Sequence, residues 1–168
     1  MNPLQKRLEE SRFLHGLLYV QQAAGGIKKL TSTELAHLNQ IVTDYKGDTW
    51  RFEATTISVP GGQVEMQVHS NPLNRARDIT GNALVMAGNQ NILEAAVYLY
   101  SQLVLEHLFQ DANRRTAVLA TIWLLRNAEI DVDAKELLKI PLGNLRNPSE
   151  MHAFKGHLAL LIANASSS

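Results

Sequence analysis

His107-Leu108-Phe109-Gln110-Asp111-Ala112-Asn113-Arg114-Arg115-Thr116 joins two segments of helical patterning, and its charges run against local stability. The first turn of a helix carries partial positive charge, so each cation there costs up to roughly 1 kcal/mol. Arg114 and Arg115 nevertheless open the most apolar helix that the sequence predicts. The unpaired backbone N–H groups of that turn point the same way, which makes it an anion site, and arginine forks match phosphate oxygens. An ordinary cap explains the same residues: Asp111 or Asn113 ends the helix and Asp111 balances one arginine. The chemical reading rests on company. A histidine base, an oxygen ligand for a metal, an anion-binding turn and two arginines fall within one short segment.

On its N-terminal side, Ile92, Ala95, Ala96, Leu99, Leu103 and Val104 share a face and predict a helix from about Asn91 to Glu106. On the other side, Ala117, Val118, Leu119, Ala120, Ile122, Trp123, Leu124 and Leu125 are apolar nearly all round. They predict a buried central helix from about Arg114 to Ala128. Further out, Leu4, Leu8, Leu14, Leu17 and Leu18 recur at roughly helical spacing and predict a first helix, stopped by Gly25-Gly26. Thr31 to Glu34 has capping-box spacing and opens a second helix with Leu35, Leu38, Ile41, Val42 and Tyr45. Asn71-Pro72 starts another, reaching about Gly88. Asp133 caps a short helix, and Asn147-Pro148 opens the last, with Met151, Phe154, Leu158 and Leu161.

The period changes once. Trp50, Phe52 and Ala54 alternate with polar neighbours, as do Val64, Met66 and Val68, with Val59-Pro60-Gly61-Gly62 between them suited to a type II turn. These runs predict one β-hairpin, from Trp50 to His69. A lone two-stranded ribbon is marginal in water, so it lies on the helices or awaits a partner strand. The expected architecture is mainly α: a single domain over 1–164, in which 1–30 form an accessory helix, followed by a disordered tail at 165–168.

The chain has 168 residues, 45% hydrophobic, enough for one core. Its 16 basic and 16 acidic side chains leave no cationic surplus for non-specific nucleic-acid binding. With no cysteine, thiolate metal sites, disulfides and cysteine nucleophiles are excluded, and magnesium is the easiest metal to hold. No apolar run is long enough to cross a membrane and no secretory signal opens the chain, so the cytoplasm is expected; a signal for specialised secretion would escape this test.

His107 to Thr116 resembles the signature of the Fic/Doc family, in which His-x-Phe-x-Asp/Glu-Gly/Ala-Asn-Gly/Lys-Arg joins two helices of a small helical domain. The version here looks most like the Doc toxin branch. The likeness covers about Asn91 to Ala128, and the hairpin lies where the family has its target-docking flap. The resemblance implies a helical bundle with one hairpin flap, and roles residue by residue. His107 would take the proton from a target hydroxyl, Asp111 would hold magnesium, Ala112 and Asn113 would bind phosphate oxygens, and Arg115 would stabilise phosphate charge. Phe109 would anchor the loop.

Three positions depart from the commoner pattern. Ala112 stands in place of glycine, Arg114 stands where nucleotidyl-transferring members have glycine, and Val118 stands where many carry another arginine. They favour Doc-like transfer of phosphate from ATP over transfer of AMP, and keep open a degenerate member that binds a nucleotide without turnover. The Ser/Thr-x-x-x-Glu-Gly/Asn segment that silences many relatives has no acceptable counterpart, since Thr49 to Glu53 is followed by Ala54 and falls in a predicted strand. Silencing is therefore expected from an antitoxin helix or from self-assembly, and the target protein from docking along the 50–69 hairpin. The other histidines (His15, His37, His69, His152 and His157) show no metal spacing.

Overall fold

The computed structural model describes residues 1–66 and 71–166. In chain order the elements are α1 (Pro3–Gly25), α2 (Ser32–Thr43), β1 (Thr55–Val59), β2 (Gly62–Met66), α3 (Pro72–Gly88), α4 (Ile92–Glu106), α5 (Asn113–Asn127), α6 (Ala134–Lys139) and α7 (Pro148–Ser166). α5 is the axis of the bundle and packs against α4, α1, α2 and α6. Ala117 through Leu125 are all buried, which explains a helix with no polar face.

The helix starts follow the sequence. Thr31 Oγ1 accepts from the Glu34 N–H, and Asn71 Oδ1 accepts from the Asn74 N–H ahead of Pro72. Asp133 caps α6 through the Lys135 N–H. The capping box is only half made, because the Glu34 carboxylate turns instead to Tyr19 and Lys28.

α1 does not bury the face that carries most of its leucines. Phe13, Gly16, Val20 and Ala24 are buried, whereas Leu4, Leu8, Leu14 and Leu18 are exposed and Leu17 is half-buried. Both sets recur at helical spacing. Gly16 decides between them, because a Cβ there would stand 2.6 Å from Leu119 Cδ1 and 3.3 Å from Val42 Cγ1. Without it, α1 could not come this close to α2 and α5.

The hairpin is also shifted. β1 begins at Thr55, not Trp50, and pairs with β2 from Thr55↔Met66 to Val59↔Gly62. Pro60 and Gly61 close the turn, with Gly61 at φ 92 as a type II turn requires at that position. Trp50 instead forms a single antiparallel bridge with Phe109 of the motif loop. The expected extension of the second strand to Val68 and His69 lies outside the described residues. At the other end, α7 continues through Ala165 and Ser166, where a disordered tail was expected.

Candidate functional site

The motif loop leaves α4 and enters α5 through two left-handed residues, His107 at φ 50 and Ala112 at φ 59. Each costs a non-glycine residue about 1–2 kcal/mol, so the surrounding contacts must hold them there. Asn113 does part of this. Its Oδ1 accepts from the Phe109 N–H at 2.9 Å, and its Nδ2 donates to the Phe109 carbonyl at 3.0 Å. Buried Asn39 of α2 adds bonds to the Asp111 carbonyl at 2.8 Å and to Thr116 Oγ1 at 3.0 Å. Phe109 is buried and stacks on Trp50, with ring centroids 4.7 Å apart.

A third brace comes from Arg51, buried between the hairpin and the loop. Its N–H donates to the Leu108 carbonyl at 2.8 Å, and the Gln110 N–H donates to the Thr49 carbonyl at 3.0 Å. Its Nε donates to the His107 carbonyl at 2.6 Å, while Nη1 reaches the carbonyls of Glu53 at 2.6 Å and Met66 at 3.2 Å. One guanidinium thus ties both strand ends of the hairpin to the end of α4.

The first turn of α5 has no side-chain cap and no acidic residue. Its first intrahelical bond runs from the Thr116 N–H to the Ala112 carbonyl, so the preceding amides lack such a partner. Neither Asp111 nor Asn113 supplies the ordinary cap. Asp111 Oδ1 accepts from the neighbouring Ala112 N–H at 2.7 Å, and the carboxylate is exposed. A magnesium ion that keeps waters and phosphate oxygens needs only one or two carboxylates, and Asp111 fits that demand. Among the described residues no group of three or more His, Asp or Glu forms a protein-only metal cage.

His107 lines a cavity of about 330 Å³ with Ile57 to Pro60 of the hairpin, Asn113, Arg114 and the loop Leu142 to Arg146. Among the described residues, two arginines and no carboxylate stand in that lining. Burial pushes the His107 pKa below its usual value, and the charges of Arg51 and Arg146 push the same way; Asp111 and a hydrogen bond to the Val104 backbone oppose them. A lowered pKa favours the neutral ring, whose unprotonated nitrogen can accept a proton.

The two motif arginines separate. Arg114 lines the His107 cavity, with Nε on the Tyr100 hydroxyl at 3.2 Å and Nη2 on the carbonyls of Leu138 at 2.8 Å and Ile140 at 2.6 Å. Arg115 lines a different cavity of about 560 Å³, between α1 and α6, with Lys6, Lys135 and Lys139. Arg115, expected to stabilise phosphate charge, is not among the residues that line the His107 cavity. Successive helical residues point about 100° apart, and here the two arginines line different cavities. Val118 is fully buried and apolar. Arg51, Asn39 and Arg146 were not expected at the site. Only Asn39 carried a signal, as a polar residue on the apolar face of Leu35, Leu38 and Val42.

The comparisons bear on the whole arrangement. A crystal structure of a Fic domain containing signaling protein from Bacteroides thetaiotaomicron is similar in fold, with a TM-score of 0.73 at 16% identity, covering 98% of this chain and 71% of that one. None of the curated proteins gives a significant sequence match. Residues 29–125, which contain the hairpin, the motif loop and nearly all of α5, match the sequence profile of the Fic/DOC family. The chain belongs to that family.

Proposed function

We propose that the protein transfers the terminal phosphoryl group of a nucleoside triphosphate, ATP in the first instance, to a hydroxyl of another protein. The observation that carries the reading is a half-buried His107, its pKa lowered by burial, in a cavity where the described lining residues include two arginines and no carboxylate. His107 takes the proton as the hydroxyl oxygen bonds to the γ-phosphorus, and the bond from that phosphorus to its bridging oxygen breaks to release the diphosphate. The uncapped amides of α5 and the guanidinium of Arg114 bind the phosphate chain. Asn113 acts by holding the loop, since its side chain is engaged with Phe109. Asp111 is the residue that would hold magnesium, which supplies charge neutralisation on the phosphates. The hairpin overhangs the cavity and offers its free edge to an extended segment of the target.

Phosphoryl transfer is preferred to AMP transfer because of Arg114. Its fixed cation fills the place that glycine leaves open in the nucleotidyl-transferring pattern, and draws the most anionic end of the nucleotide towards His107. A toxin silenced by an antitoxin helix or by self-assembly fits a chain without an inhibitory glutamate segment. Thr49 to Glu53 is neither helical nor free, since Arg51 lies buried at its centre. A second reading, binding without turnover, draws on the placement of Arg115 outside the cavity.

The deciding experiment incubates purified protein and cell lysate with ATP labelled in the α- or the γ-phosphate. Label on protein from γ alone supports phosphoryl transfer. Label from α alone overturns it in favour of AMP transfer, and ATP binding with neither label supports the non-catalytic reading.

A further inference from the structure

The His107 cavity is walled by three separate parts of the chain, and its second arginine comes from none of the motif positions. Arg146 lies in the loop between α6 and α7. The loop is held from within: the Arg146 N–H donates to Asn144 Oδ1 at 3.1 Å, and the Asn144 N–H donates to Glu150 Oε1 at 3.1 Å. Gly143 sits at φ 58, where a Cβ would stand 2.8 Å from that same Glu150 oxygen. The backbone that carries Arg146 is thus fixed, while its side chain is lightly held. Nη2 meets the Met66 sulfur at 3.3 Å and the Leu105 carbonyl at 3.4 Å. A thioether is a weak acceptor and 3.4 Å is long for a guanidinium bond.

The two cavity arginines therefore differ. Arg114 has three oxygen acceptors inside the protein. Arg146 keeps most of its five donors for something else, and is exposed at the cavity mouth. It is also close enough for its charge to act on His107. A dianionic group seated between the two residues would give Arg146 the bidentate partner it lacks.

We propose that Arg146 binds the phosphoryl group that faces His107, the terminal phosphate of the nucleoside triphosphate. This rests on the γ-phosphate reading above and adds to it the cation supplied from outside the motif. It also accounts for a site in which Val118 is apolar and buried and Arg115 faces another cavity. Arg146 brings to the cavity lining, from the loop after α6, a cation that neither of those two positions contributes.

The test compares equilibrium binding of ATP, ADP and AMP, each with magnesium, to the wild type, Arg146→Ala and Arg146→Lys, with thermal melts as a folding control. A charge-assisted pair at one phosphate corresponds to roughly 10–100-fold in affinity. Arg146→Ala should lose about that much for ATP and almost nothing for ADP or AMP, and Arg146→Lys should recover part of it. Equal loss for all three nucleotides, or no loss for any, overturns the proposal, as does a wild type that binds none of them. Transfer assays on the same preparations separate the two questions. ATP-selective loss without any phosphoryl transfer keeps the assignment of Arg146 and removes the kinase reading. Normal γ-transfer with unchanged ATP affinity in Arg146→Ala does the reverse.

Discussion

Arg51 Nε donates to the His107 carbonyl at 2.6 Å, so the left-handed turn that presents the imidazole is held by a residue from the base of the hairpin. The same guanidinium lies on the carbonyls of Glu53 and Met66. A buried acceptor left without its partner costs about 1–3 kcal/mol. Arg51→Met should therefore lower stability by about 2–4 kcal/mol in urea unfolding, and should disturb the ring signals of His107 in NMR spectra more than those of His15 or His152. A change confined to the hairpin amides would show that Arg51 supports the ribbon alone.

His107→Ala should reduce transfer by about 10²–10⁴-fold, the usual contribution of a general base. The ring is only half-buried, so its removal should leave the thermal midpoint nearly unchanged. A variant that melts far below the wild type would mark His107 as a structural residue.

The pH profile follows from the same group. Burial lowers its pKa in the folded protein, and the unfolded chain binds the proton more readily. Its contribution to stability is therefore present above about 6.5 and is lost as pH falls through the lowered folded value. Transfer should follow the same limb, flat near neutrality and declining only below the ordinary histidine range. A rate that rises steeply between pH 7 and 8 would identify a different base.

Asn39 makes two buried bonds to the motif loop from a distant helix. Asn39→Ala should cost about 1–3 kcal/mol and slow transfer, while Asn39→Asp should be worse, because a carboxylate cannot donate to the Asp111 carbonyl. Full activity in Asn39→Ala would show that Asn113 alone orders the loop.

The hairpin prediction concerns target docking. Proline at Val64, in β2, removes a backbone donor from the ribbon. Modification of the target should fall more than nucleotide binding does. Equal losses in both assays would indicate a ribbon that serves only the fold.

Much of this was legible in the sequence. Caps at Thr31, Asn71 and Asp133 announce themselves through local chemistry, and a helix apolar on every side can only be central. The errors come from contacts between segments far apart in the chain. α1 repeats on two faces, and the choice between them depends on Gly16 meeting Leu119, a contact remote in sequence. Arg51 reads as the outward polar residue of an alternating strand, yet it points inward because the carbonyls of His107, Glu53 and Met66 await it there. Arg146 carries no pattern at all. Its place at the cavity exists only after α6 and the following loop have folded back over the end of α4.

The Trp50–Phe109 bridge has a consequence for how the protein opens. Main-chain bonds on both sides of it, from the Arg51 N–H and the Gln110 N–H, splice the hairpin stem onto the motif loop. Hairpin stem and motif loop then belong to one cooperative unit of local unfolding, and their amides should exchange with solvent at a common opening free energy. Coupling of this kind is reciprocal. A nucleotide that quiets the loop should then also protect the stem from proteolysis, and a peptide laid along the hairpin should tighten the hold on that nucleotide.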